Sequence, residues 1–283
     1  MDVTAQQVVN VLERFAPPIL AFENDKIGLQ LGRLNRPVHK VWLALDPSPA
    51  VVKEAIDQHA DMLVTHHAML FHPLLRIDTA TARGKAMALA LAHDLTVYNA
   101  HTNLDVAEGG VNDVLAQRLG LQNTRILDVT YRVSPHTGAT GSMCGQPQEL
   151  ASQVFGMGRM GRLAAPVSLL EFAVFVRDAL TLAGIRYVGD PALVVNQVAV
   201  VGGSGGRWMH HALVQGADVM VTSDCDHHTM AEAWQEGLAV VEATHAAMER
   251  PVLKWVQKLL HQEFGVAVQV HISNLVEDPY LWA

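Results

Sequence analysis

Six side chains in this sequence have the types and spacings from which a metal centre can be built: His66, His67, His101, Asp105, His245 and Glu249. His66 and His67 follow the apolar run Asp61 to Thr65, and His101 follows the run Leu95 to Ala100. Both runs therefore end in imidazoles, which can ligate a metal or take up a proton near neutral pH. His101 and Asp105 are spaced i, i+4, and so are His245 and Glu249. On a helix that spacing puts both side chains on one face, one turn apart. Neutral imidazoles mixed with carboxylates suit Zn²⁺, Mn²⁺, Fe²⁺ or Co²⁺ better than Ca²⁺ or Mg²⁺. Two carboxylates and several histidines can hold two ions about 3.5–4 Å apart, with one carboxylate bridging. A lone histidine is more often an ordinary hydrogen-bonded residue. His72, His93, His210, His211 and His261 are read that way, as are His136 and His271.

The elements that must position these groups follow from periodicity. Val8, Val11, Leu12 and Phe15 fall at helical spacing in Thr4 to Ala16, and Pro17-Pro18 ends that helix. Val41 to Leu45 reads as a strand, Ala50 to His59 as a helix and Asp61 to Thr65 as a short buried strand. This βαβ unit should be right-handed with parallel strands. A helix capped by Thr79 or Thr81 runs to about His93, and Leu95 to Ala100 is the next strand. Val111 to Leu119 is a helix stopped by Gly120, and Ser168-Leu-Leu-Glu171 opens another that reaches about Ala183. Ligands in open α/β sheets bind outside the carboxyl ends of the strands, where His66, His67 and His101 stand.

An internal echo joins the two ends of the chain. Val198 to Thr222 aligns on Val41 to Thr65 without a gap at an offset of 157, with seven of 25 residues identical. Leu95 to His101 is echoed by Leu238 to His245, and each histidine is followed four residues on by a carboxylate. The fold class expected is α/β: two related halves packed with pseudo-twofold symmetry, with mixed or parallel sheets and flanking helices. Residues 1–125 form the first half and 190–283 the second, joined through 126–189. Within that junction Thr130 to Thr140 has strand character, Gly138 to Gly145 reads as loop, and Glu149 to Phe155 looks helical.

The bulk properties narrow the class. The net charge of −8 argues against general nucleic-acid binding. No run of about 18 apolar residues predicts a membrane span. The first residues lack a signal-peptide pattern, and two cysteines give no disulfide framework, so a cytoplasmic setting is expected.

Three further motifs carry weaker signals. Gly156-Met-Gly-Arg-Met-Gly161 matches G-x-G-x-x-G, but a dinucleotide fingerprint should follow a strand and open a helix, so a tight loop or strand bend is favoured. Gly202-Gly-Ser-Gly-Gly206 is a turn whose N–H groups could cradle a phosphate. Cys225, His227 and His228 occupy the second-half place of the His66-His67 loop and read as pocket lining. Trp208 and Trp234 read as core or interface residues.

Thr65-His-His67, Ala100-His-Thr-Asn-Leu-Asp105 and Glu242-Ala-Thr-His-Ala-Ala-Met-Glu249 together resemble the motifs of one family. It comprises the dinuclear-metal proteins known as type-2 homologues of GTP cyclohydrolase I, also named for a yeast NGG-interacting factor. Glu23 to Gly32 and both glycine-rich stretches fall in the same order, so the resemblance spans nearly the whole chain. It implies a two-metal site of His66, His67, Asp105, His245 and Glu249, with Glu249 as the bridge and His101 adjacent. It also implies a toroidal homohexamer whose sites face an inner cavity. The chain departs from the family pattern at Ala68, where proline is usual, and at Glu242 and Thr244, where aspartate and glycine are usual. The leading expectation is a metal-dependent hydrolase in which a metal-bound hydroxide attacks an electrophilic carbon, as in a cyclohydrolase reaction on a purine nucleotide. His101 or Glu249 would move protons. Two other readings use the same ligands: a non-enzymatic metal-binding hexamer acting as metal chaperone, store or regulatory partner, and a two-metal phosphoesterase.

Overall fold

Thr4 opens the first helix with a capping box, its hydroxyl facing the Gln7 N–H and the Gln7 side chain returning to the Thr4 N–H. The computed structural model describes residues 2–133, 153–275 and 278–283. In chain order the first part holds α1 (Ala5–Phe15), β1 (Gly28–Leu31), β2 (Lys40–Ala44), α2 (Pro49–Asp57), β3 (Met62–Thr65), α3 (Ala82–Ala92), β4 (Thr96–Asn99), α4 (Thr102–Val106), α5 (Val111–Arg118) and β5 (Gln122–Arg132). The second part holds β6 (Val154–Ser168), α6 (Leu169–Ala179), β7 (Arg186–Val188), β8 (Val194–Ser204), α7 (Met209–Val214), β9 (Val219–Ser223), α8 (His227–Gln235), β10 (Ala239–Glu242), α9 (His245–Glu249), α10 (Pro251–Phe264) and β11 (Gln269–Ile272). Thr81, not Thr79, caps α3.

The strands form a five-stranded sheet, ordered β1-β4-β3-β2-β11, and a six-stranded sheet, ordered β5-β6-β8-β9-β10-β7. The sequence echo is reproduced in the hydrogen bonding. Val41 pairs with Met62, and Val198 pairs with Val219, the same register 157 residues later. Asp61 accepts from the N–H groups of His39 and Lys40, and Asp218 does the same from Asn196 and Gln197. Each sheet also carries an antiparallel edge strand, β1 on β4 and β7 on β10. The α/β class with two sheets and flanking helices is therefore as expected.

The last strand of each part pairs in the other part's sheet. Strand β11 lies parallel to β2, and β5 joins the second sheet through β6. One hydrophobic cluster consequently runs through both parts, from Val8 and Leu12 of α1 through Leu115 and Val256 to Val200 and Val240. The outer face of the first sheet has its own cluster, Trp42, Ala44, Leu63 and Val97 under α2 and α3. Strands buried on both faces have no polar side to alternate, which is why their sequences read as continuous apolar runs.

The region read as junction differs most from expectation. Phe155, expected in a helix, lies in the long strand β6. The Gly156 to Gly161 motif is also part of β6, with Gly156 paired to Val129 and Gly161 to Val198, so it opens no helix and has no dinucleotide-loop geometry. A Cβ on Gly156 would stand 2.0 Å from the Asp128 carbonyl oxygen, so glycine there serves close strand passage. The strand expected over Thr130 to Thr140 is present as far as Arg132 and does not include Val133, while residues 134–140, like Gly138 to Gly145, His136 and Cys144, lie outside the described residues. Ser168 and Glu171 form the expected capping box, but the helix ends at Ala179, after which Thr181 takes a positive φ of 60°. No described helix is long and apolar enough to cross a membrane.

Candidate metal centre

Strand β3 delivers His66 and His67, and strand β4 delivers His101 and, one helical turn on, Asp105 of α4. Helix α9 begins at His245 and ends at Glu249, so both face one way, and Pro251 falls in the first turn of α10, where its missing N–H costs nothing. Docking of the two parts brings all six side chains together. Ligand atoms of His66, His67 and His101 lie within 4.8 Å of one another, as do those of His67, His245 and Glu249, and those of His66, Asp105 and Glu249. Glu249 is the meeting point. Its Oε1 lies 2.9 Å from His245 Nε2 and 3.5 Å from His66 Nε2, and its Oε2 lies 2.9 Å from His67 Nε2.

Each imidazole is turned by a partner on its other nitrogen. His66 Nδ1–H donates to the Ala100 carbonyl at 3.0 Å. His67 Nδ1 meets Asp46 at 2.9 Å, His101 Nδ1 meets Asp25 at 2.9 Å, and His245 Nδ1 meets Asp224 at 2.5 Å. A carbonyl or carboxylate only accepts, so Nδ1 carries a proton, and a neutral ring would present its Nε2 lone pair to the cluster. This is how metal-ligating histidines are oriented. His66 Nε2, Asp105 Oδ1, His245 Nε2 and Glu249 Oε2 are buried without an aligned hydrogen bond among the described residues. Converging buried ligand atoms without an aligned hydrogen bond fit a divalent cation.

The electrostatics agree. Burial alone would lower the His67 and His245 pKa values, yet contacts with Asp46 and Glu249 lift His67 to about 10, and Glu249 with Asp224 lifts His245 to about 9. His66 is raised in the same way, against burial, by Glu249 and Asp105. Burial lifts the Asp105 carboxyl to about 6, although His66 opposes it, and the Glu249 charge adds to the rise. Burial would raise Glu249 too, but the imidazoles of His66, His245 and His67 hold it well below the usual carboxylate range. Burial is likewise overcome at Asp25, which His101 and Thr102 hold far below that range. Negative charge concentrated among imidazoles is held here by protons where a cation would replace them.

The backbone makes room for this. Gly203, at the end of β8, has a φ of +67°, and a Cβ there would stand 2.5 Å from Glu249 Oε1. The glycine-rich stretch thus lets a strand pass beside the Glu249 carboxylate. Asn112, fully buried in α5, donates to the Asp105 carbonyl and accepts from the Gly202 N–H, tying α4 to the second sheet.

Asp25, Asp46 and Asp224 were not marked as partners in the sequence. Asp25 stood within the Glu23 to Gly32 landmark, and Asp224 occupies the repeat position of His67, which offered a signal. Asp46 gave none beyond its place at the carboxyl end of β2. Cys225, His227 and His228 belong to none of the ligand groups among the described residues. Burial, with Glu242, Asp224 and Asp226 nearby, pushes the Cys225 thiol up to about 12, unlike a thiolate ligand. The unusual Glu242 accepts from the Cys225 N–H at 2.9 Å and pairs with Arg186, and the unusual Thr244 meets Asp278 at 2.5 Å. Trp208 is buried, donating to Asp128, whereas Trp234 is exposed.

The sequence profile of Duf34/NIF3, NGG1p interacting factor 3, matches residues 3–279. The chain belongs to the Duf34/NIF3 family. Among its relatives, a Bacillus subtilis protein named GTP cyclohydrolase 1 type 2 homolog is 32% identical, covering 99% of this chain and 98% of its own length. A Streptomyces coelicolor protein of the same name is 32% identical over 97% of this chain and 92% of its own. The fold of a Bacillus cereus protein related to NIF3 superposes with a TM-score of 0.89 at 31% identity, covering all of both chains. As a NIF3-family protein, this chain carries its histidine and carboxylate cluster on a fold that such relatives share.

Proposed function

We propose that this NIF3-family protein holds two divalent transition-metal ions, of the class Zn²⁺, Mn²⁺, Fe²⁺ or Co²⁺, and uses them in hydrolysis. The observation that carries the proposal is Glu249, whose two oxygens face three imidazoles, while His66 Nε2, Asp105 Oδ1, His245 Nε2 and Glu249 Oε2 are buried without an aligned hydrogen bond among the described residues. His66, His67, Asp105, His245 and Glu249 would be the ligands, with Glu249 shared. Bound ions of this kind lower the pKa of water and polarise a carbonyl or phosphoryl oxygen. The chain's own residues supply the rest. Asp46 and Asp224 fix the rings of His67 and His245. His101, fixed by Asp25 through Nδ1, keeps Nε2 free to take or give a proton at the edge of the cluster.

The names of the Bacillus and Streptomyces relatives favour a cyclohydrolase-like reaction, opening the ring of a purine nucleotide. The experiment is elemental analysis of protein purified without chelator, beside the His66→Ala/Glu249→Ala double mutant, followed by incubation of both with GTP under ultraviolet absorbance. About two metal equivalents per chain, lost in the mutant, with a metal-dependent spectral change, is the expected result. Metal without turnover would leave a metal-binding protein that is not a cyclohydrolase, and no metal even after reconstitution would overturn the whole reading. Turnover of generic phosphate esters alone would make it a phosphoesterase.

The same proposal includes a homohexamer. Almost fully exposed Leu75, Val266 and Leu281 supply apolar surface of the kind that assembly covers. Light scattering of the purified protein should give about six times the chain mass; a monomer would remove this part.

A further inference from the structure

A cavity of about 410 Å³ lies beside the metal centre, lined by Ser204, Gly206, Arg207, Asp224, Cys225 and Thr229. It shares Asp224 with the centre, since that carboxylate holds His245. Its remaining carboxylate, Asp226, is occupied in capping α8 through the N–H groups of His228 and Thr229. Arg207 stands out. Its guanidinium carbon lies 3.9 Å from the Trp208 ring centroid and 4.8 Å from that of Phe22, and these two rings stack at 6.1 Å. No ion pair of Arg207 occurs among the described residues, and the residue is exposed.

The residues that carry these rings connect to the centre from the first and the second part of the chain. The Phe22 N–H donates to Thr102 Oγ1, and Thr102 with Asp25 forms the unit that holds His101. Trp208 follows the glycine-rich stretch whose Gly203 lies against Glu249. A planar cation with no ion pair among the described residues is thus stacked on one ring from each part of the chain, in a cavity that shares Asp224 with the candidate centre. Stacking restrains the guanidinium while leaving its N–H fork available, and that fork matches a phosphate. We propose that Arg207 is the anchor for a phosphate group of the molecule that the metal centre acts on. This rests on the proposed metal-dependent function for its meaning, but the anchor itself exists with or without the ions.

The test is titration with inorganic phosphate, followed by calorimetry and by the fluorescence of the tryptophan under Arg207, on metal-free and zinc-loaded protein. Acetate is titrated in parallel to separate a phosphate anchor from a general anion site. Phosphate should bind in both states, with acetate much weaker. Arg207→Ala should weaken phosphate binding about tenfold or more, as for loss of a charge-assisted hydrogen bond, with zinc content and melting temperature unchanged. Arg207→Lys, which keeps the charge but not the stacked fork, should recover only part of the affinity. Equal binding by Arg207→Ala, no phosphate binding by the wild type, or equal binding of acetate would overturn the proposal. Loss of zinc with retained Arg207-dependent phosphate binding would instead count against the metal reading alone.

Discussion

His67 Nε2, carried by the first sheet, lies 2.9 Å from Oε2 of Glu249, carried by a helix of the second part. Neither residue reaches a full ligand set within its own part of the chain. The cluster is assembled only when the two repeats are docked, so a metal bound there would also stabilise the docked form.

Removing Glu249 should therefore cost more metal than removing Asp105. Glu249 lies within ion-pair distance of His66, His67 and His245, whereas among the described residues Asp105 has that contact with His66 only, at 3.5 Å. Glu249→Ala is expected to lose both equivalents and Asp105→Ala mainly one, measured by elemental analysis after gel filtration. Full metal content in Glu249→Ala would remove its role as the shared ligand.

Metal uptake should release protons. With folded pKa values near 10 and 9, against an ordinary 6.5, His67 and His245 are protonated at pH 7.5 in the metal-free protein. Ligation requires the neutral rings, so calorimetric enthalpies of zinc binding should vary with the ionisation enthalpy of the buffer, and affinity should rise with pH. For stability the sign runs the other way. A raised folded pKa stabilises the metal-free protein below about pH 6.5, and that contribution is lost as pH rises through about 9 to 10. Buffer-independent enthalpies would show that the rings are already neutral.

Gly203→Ala should damage the centre from the backbone side. The new methyl group meets Glu249 Oε1 at 2.5 Å in a residue whose φ is +67°. Strain of this kind costs about 1–3 kcal/mol. A lower melting temperature and reduced metal content are expected together; an unchanged protein would mean that the strand has room to shift.

Asn112 offers a test of the docking itself. Asn112→Ala leaves the Gly202 N–H and the Asp105 carbonyl without their buried partner. Urea denaturation should register a loss of roughly 1–3 kcal/mol, the cost of an unsatisfied buried group. Asn112→Asp, which keeps an acceptor for Gly202, gives a second reading of which bond matters. No loss in either variant would separate the clamp from stability.

Much of the architecture was legible in the sequence, because it depends on local periodicity. The apolar runs ending at Thr65 and Asn99, the capping box at Ser168 and the echo at an offset of 157 each fix an element by its own residues. The six candidate side chains were legible for the same reason: their spacing sets which strand end or helix face carries them. The long strand β6 was not, since its glycines and Pro166 interrupt the apolar alternation that marks a strand, and its pairing with β5 and β8 overrides that local signal.

What the sequence alone determined is thus the repeated strand–helix unit and the chemical types placed at its ends. The tertiary structure decided which of those types meet. It exchanged β11 and β5 between the two sheets, set Glu249 among imidazoles from the other part, and chose Asp25, Asp46 and Asp224 from many acidic residues to turn the rings. An aspartate that orients a histidine looks, in sequence, like any aspartate in a polar turn. The difference is a distance of about three ångströms across elements far apart in the chain, and only packing sets it.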